Sequence, residues 1–181
     1  MVGKEKLLLS DMDDGIMEDS GTETRSSIEN KQPNSANCFV CGRENTNGLG
    51  LSFYEVGPDE VTAEVVIPSH FEGYPGIVHG GIVAAMLDEI AGRAVLIGEH
   101  EHFRLTAKLE IRYRKPVPSG EPLRLRGIVE RRKGRIAFAH AELNLPDGTL
   151  AAEAHAMLTD LPGLPVDRDE LESLGWKVDP D

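Results

Sequence analysis

The run His79-Gly80-Gly81 and the acid nine residues after its histidine, Asp88, are the residues whose types and spacing best suit chemistry. Two glycines at a helix start leave backbone N–H groups without intrahelical partners, at the positive end of the helix dipole. With no side chains in the way, a substrate oxygen can approach those amides closely. That is the geometry of an oxyanion hole, in which one donor is typically worth ~10²–10³ in rate. Asp88 and Glu89 interrupt a segment that is otherwise apolar on nearly every helical face, Ile82 to Ile97. A carboxylate in such a setting costs several kcal/mol unless it is paired or shifts its pKa upward, so it is a functional candidate. The structural alternative is that either acid points into a polar dimer seam or pairs with Arg93, and it suits Glu89 better than Asp88.

Spacing limits how these groups cooperate. Eight helical residues separate Gly80 from Asp88, about 12 Å along the axis. A carboxylate and an oxyanion donor acting on one carbonyl must both lie within a few ångströms of it. One chain therefore cannot supply both to the same carbonyl. Two antiparallel copies of the helix about a two-fold axis would place Gly80 of one chain opposite Asp88 of the other, which makes a homodimer a requirement.

The elements that would hold these residues follow from periodicity and turn residues. Leu49–Val56 and Val61–Ile67 read as strands around Gly57-Pro58-Asp59, and residues 71–78, with two glycines and a proline, read as a loop. A helix is expected from His79 to about Ile97, stopped before Gly98. Strands follow at Leu105–Tyr113, Leu123–Val129, Ile136–Leu145 and Leu150–Leu158, the last two joined by Pro146-Asp147-Gly148. One long helix with an antiparallel sheet is an α+β architecture. A helix apolar all round must be buried on all sides, which wrapping the sheet around it would achieve.

Three segments emerge: an acidic arm at 1–36, a domain at 37–160 and a tail at 161–181. The arm has no aromatics and no periodicity, so it is expected to be mobile or ordered only on a partner. In the tail, Asp167 followed by Glu170 fits a capping box and Gly175 a stop, predicting a helix over Arg168–Leu174.

Composition narrows the classes. A net charge of −12 argues against a general nucleic-acid binder. The longest apolar run, Ile82 to Leu87, is too short to cross a bilayer, and the N-terminus lacks the features of a secretory signal, so a cytoplasmic protein is expected. Cys38 and Cys41 form at most half of a zinc site, and no histidine stands at a companion spacing, so neither metal nor cofactor is expected. Within this acidic chain, Arg104–Arg135 carries eleven bases against three acids. It reads either as solvated strand faces or as a patch for a small polyanion.

The segment Gly76-Ile77-Val78-His79-Gly80-Gly81, with Asp88 following, resembles the signature of hotdog-fold acyl-CoA thioesterases of the phenylacetate-pathway type. Cys38-Phe39-Val40-Cys41-Gly42 and Asn47-Gly48-Leu49 upstream support it, as do Thr106-Ala107-Lys108-Leu109 and Tyr113-Arg114-Lys115-Pro116 downstream. The resemblance spans about residues 37–160 and implies a hotdog fold, a long helix wrapped by an antiparallel sheet. It implies Asp88 as general base or nucleophile on a thioester, and Gly80, flanked by Gly81, as the amide polarising the carbonyl. Thr106 then orients water, and His79 shapes the loop and the helix start. Many relatives carry Asn or Gln six residues before the histidine, where this chain has Gly73. Acyl-CoA as substrate gives the basic stretch a ligand, with Arg114 and Lys115 placed to meet its phosphates. A dimer is implied, and a dimer of dimers stays open. The alternatives are a non-catalytic acyl-CoA-binding protein and, third, a hydratase. Phe71, Tyr74 and Phe103 are candidates for the acyl pocket or for the core.

Overall fold

The computed structural model describes residues 30–161 and 167–180. Among these residues, eight strands and two helices follow one another as β1 (Tyr54–Glu55), β2 (Glu60–Val66), β3 (Glu72–Tyr74), β4 (Ile77–Val78), α1 (Gly80–Val95), β5 (Arg104–Tyr113), β6 (Pro122–Lys133), β7 (Ile136–Asn144), β8 (Leu150–Asp160) and α2 (Arg168–Ser173). Six strands make one antiparallel sheet in the order β1-β2-β6-β7-β8-β5, and β3 and β4 form a separate hairpin.

Small residues let the sheet close on the helix. Along the β7–β8 ladder, Ala137 stands opposite Leu158, Ala139 opposite Ala156 and Ala141 opposite Ala154. All six are buried, and Met86, Leu87, Ile90, Ala91 and Ala94 of α1 join them in one core with Leu123, Leu125 and Leu143. At Gly127 of β6 the approach is closest. A Cβ built there would run into the Ile90 carbonyl oxygen, which is backbone and cannot turn aside. Gly127→Ala is therefore expected to push α1 off the sheet and to cost about 3 kcal/mol, the upper end for overpacking. Urea unfolding would check this, and an unchanged midpoint would mean that the helix is not held where Gly127 places it.

The helix is not enclosed by its own sheet, contrary to the expectation from its composition. Val83, Met86, Leu87 and Ile90 are buried, whereas Ala84, Ala85, Asp88, Glu89 and Gly92 are only half-buried. The six strands cover one side of the helix and leave this face open. Beside it runs β5, at the edge of the sheet, with Leu105 53% exposed and Ala107 exposed.

Three other segments differ from the sequence reading. Only Tyr54–Glu55 of the first expected strand joins the sheet. Residues before it bond to a loop instead, Leu49 N–H to the Phe39 carbonyl and Leu51 N–H to the Val40 carbonyl. The expected loop at 71–78 is instead the β3–β4 hairpin, entered from a 3₁₀ turn at Ser69–Phe71. Pro75-Gly76 turns that hairpin, with Gly76 at φ 75°, a conformation that favours glycine. The packed chain also starts earlier than residue 37. Gln32 and Asn34 are fully buried, Gln32 Nε2 donates to the Arg93 carbonyl at 3.0 Å, and Asn34 pairs with Lys177. Residues 1–29 of the expected arm lie outside the described residues. In the tail, α2 spans Arg168–Ser173, with the Asp167 side chain accepting the Glu170 N–H at 2.9 Å.

Candidate functional site

Asp88 sits midway along the open face of α1. Its Oδ1 accepts the Thr106 hydroxyl at 2.8 Å. Burial raises the Asp88 carboxyl above its ordinary range; the Thr106 hydrogen bond opposes that, and the neighbouring Glu89 charge adds to it. Glu89 turns away to pair with Arg93, Nε to Oε1 at 2.8 Å, whereas Asp88 does not take that partner. Thr106 reaches Asp88 from a bulge. The β5–β8 register passes from Thr106 opposite Leu158 to Lys108 opposite Met157, so Ala107 is the extra residue. A bulge re-aims neighbouring side chains, here next to the acid. Clefts of about 460 Å³ and about 390 Å³ flank this pair, the first lined also by Cys38, Glu89 and Phe103.

The helix start forms a separate cleft of about 660 Å³, lined by Gly73, His79, Gly80, Tyr113, Arg114 and Lys115 among others. His79 is the N-cap, its Nδ1 accepting the Gly81 N–H at 2.9 Å. The Gly81 amide is thus occupied by the cap, which leaves Gly80 as the candidate donor of the pair. Tyr113, which sequence reasoning placed in a motif without a role, donates its hydroxyl to the Gly80 carbonyl at 2.9 Å. Tyr113→Phe is expected to cost about 1 kcal/mol, the usual worth of one such bond. A thermal melt would test this; an unchanged midpoint would mean that the bond does not hold the helix start.

Gly73 lies against His79. A Cβ there would stand 3.1 Å from His79 Cδ2 and 3.2 Å from its Cα. A larger side chain at 73 would need the histidine to give way. Of the two basic candidates, Arg114 is paired with Glu153, while Lys115 lines the cleft. Much of the wider basic stretch is paired across strands, Arg124 with Glu64, Arg126 with Glu60 and Arg132 with Asp59. That favours solvated strand faces over a single polyanion patch. Tyr74, 75% exposed, lines the helix-start cleft; Phe103 packs on Trp176, and Phe71 packs edge-on to Phe39.

Sequence reasoning named the members of one further cluster without bringing them together. Arg93, 2% exposed, donates to the Pro33 carbonyl and to Cys41 Sγ as well as to Glu89. Cys38 Sγ faces Glu89 Oε2 at 3.8 Å. Its thiol is held below the usual range, to about 6, by the facing Cys41 side chain, and that contact with burial raises Cys41.

A long helix carried on one antiparallel sheet, with a glycine-rich loop at the helix start and an acid on its open face, is a hotdog fold. Residues 75–152 match the family model of the Thioesterase superfamily. The chain is 31% identical over 93 residues to Acyl-coenzyme A thioesterase THEM4 of Mus musculus, covering 51% of this chain and 39% of that protein. It is 30% identical over 118 residues to the Rattus norvegicus protein of the same name, covering 63% and 50%. The chain thus spans half or less of these two relatives. A crystal structure of a thioesterase superfamily protein superposes with a TM-score of 0.64 at 29% identity, covering 68% of this chain and 60% of that one. No helix among the described residues is long and apolar enough to cross a membrane.

Proposed function

We propose that this chain is an acyl-CoA thioesterase that works as a homodimer, with a dimer of dimers as a further assembly. The observation that carries the reading is Asp88, a half-buried carboxylate with a raised pKa, held by Thr106 at a cleft wall. As a base, Asp88 takes a proton from water as the water oxygen attacks the thioester carbonyl. The oxyanion is held by the Gly80 N–H of the second copy. Collapse of the intermediate breaks the carbon–sulfur bond, and the leaving CoA sulfur takes the proton back from Asp88. As a nucleophile, Asp88 would instead attack the carbonyl itself, breaking the carbon–sulfur bond and expelling CoA as its thiolate; water then cleaves the resulting anhydride to the free acid and Asp88, whose new proton passes to the CoA sulfur.

The dimer is supported by what one chain leaves open. The face of α1 carrying Ala84, Ala85, Asp88 and Gly92 is half-buried, and β5 is an edge strand with exposed apolar residues. Such an edge is a ready template for a second copy. Within one chain Gly80 and Asp88 line different clefts, as the helix spacing requires. Arg114 and Lys115 stand at the helix-start cleft as candidates to meet CoA phosphates. The reading includes a cytoplasmic setting, with no nucleic acid, membrane or cofactor.

The second reading, a non-catalytic acyl-CoA-binding protein, is favoured by Gly73, which supplies no amide side chain to place water. Free-thiol release from a panel of aryl and aliphatic acyl-CoAs decides between them. Turnover of any member supports the thioesterase; binding without thiol release supports the second reading.

A further inference from the structure

Cys38, Cys41 and Glu89 bring one ligand atom each to a single point, all within 4.8 Å of one another. They come from distant parts of the chain, the two sulfurs from one loop and the carboxylate from α1. The loop is built tightly. Gly42 N–H closes it on the Cys38 carbonyl at 2.9 Å, and a Cβ at Gly42 would overlap that oxygen. Val40 N–H points at Cys38 Sγ, 3.3 Å away, a contact suited to a sulfur carrying negative charge.

Arg93 organises the other side. Its Nε takes Glu89 Oε1 and one terminal nitrogen takes Cys41 Sγ at 2.9 Å. Glu89 Oε2 remains, facing Cys38 Sγ at 3.8 Å. In a tetrahedral zinc site, with Zn–S about 2.3 Å and Zn–O about 2.1 Å, sulfur and oxygen ligands stand about 3.6 Å apart. The guanidinium thus has the place of an outer partner that orients two ligands and leaves their inner faces free. Two thiolates and a carboxylate carry three negative charges against the one positive charge of Arg93, and a divalent cation would balance the remainder. The cluster lines the same cleft as Asp88, from which water could fill a fourth position.

We propose that Cys38, Cys41 and Glu89 form a binding site for a thiophilic divalent cation of the zinc type, with Arg93 as its orienting partner. Binding releases whatever protons the two sulfurs carry. The assignment does not depend on thioester chemistry, and its test does not read activity.

The untagged full chain, reduced with a phosphine and stripped with a chelator, is titrated with cobalt(II). The expected result is one cobalt per chain, with thiolate-to-cobalt charge transfer and the visible bands of four-coordinate cobalt, both lost on adding zinc. Cys38→Ser and Cys41→Ser should each weaken the charge-transfer band. Glu89→Gln should keep it but lower affinity at least ~10-fold. Circular dichroism monitors folding, and the wild-type stoichiometry stands even where a serine variant unfolds. A reduced wild-type chain that takes up no cobalt overturns the proposal, as does a folded Cys38→Ser, Cys41→Ser chain that binds cobalt as well as wild type.

Discussion

Asp88→Asn is expected to lower thioester hydrolysis by ~10²–10⁴-fold, the usual worth of a positioned general base, without loss of fold. Asparagine keeps the shape and an oxygen that can accept the Thr106 hydroxyl, which lies at 2.8 Å in the native chain. What it loses is the capacity to take a proton or to attack a carbonyl. Stability should move the other way. Burial raises the Asp88 carboxyl, so the ionised form is worse accommodated folded than unfolded. That penalty is absent below the ordinary carboxylate range, grows through the interval up to the raised value and is complete above it. At neutral pH the Asn chain should therefore melt no lower than wild type. Rate and melting temperature measured on the same samples check both halves. Retained hydrolysis in a folded Asn chain would remove Asp88 from the chemistry.

The path from sequence to fold is clearest where one pattern implies one element. The alternation of Leu105 to Tyr113 places β5, and the dense apolar run after His79 places α1. What alternation does not carry is which backbone a strand bonds to. Leu51 and Phe53 are as buried as core strand residues, yet Leu51 N–H bonds to the loop that holds the two cysteines. The bulge at Ala107 is equally hidden, because an extra residue in a ladder depends on the partner strand. The surroundings of the helix are legible only in part. Apolar residues on every face say that each face is covered, but not whether the cover comes from the same chain.

At the site, residue types are legible and pairings are not. The histidine and glycines point to a helix start, but capture of the Gly81 N–H by His79 Nδ1 depends on a side-chain rotamer. The placement of Arg93 against Cys41 spans 52 positions of chain, beyond any local pattern. Cys38 and Cys41 look like half a metal site because their third companion, Glu89, is brought in only by the packing of α1 on the cysteine loop.

Gly80→Pro is expected to lower hydrolysis by ~10²–10³-fold, the worth of one oxyanion donor, while leaving the helix intact. Gly80 is the first residue of α1, where proline is tolerated because that N–H has no helical partner. His79 before it has φ −58° and ψ 136°, the extended backbone that a residue preceding proline adopts. A Cβ at 80 would meet the Tyr113 ring at ordinary contact distance, 3.8 Å. The substitution thus deletes one donor and little else, although its ring also narrows the approach of a substrate oxygen. Mixing the two variants separates that steric effect from the placement of the site. If each site takes Gly80 from one copy and Asp88 from the other, an Asp88→Asn chain paired with a Gly80→Pro chain holds one intact site and one doubly damaged site. Equal mixing with random exchange gives half heterodimers, so about a quarter of wild-type activity should return. Were each site made within one chain, both sites of the mixed dimer would be damaged and no activity would return. Recovery on mixing thus reports the shared site directly.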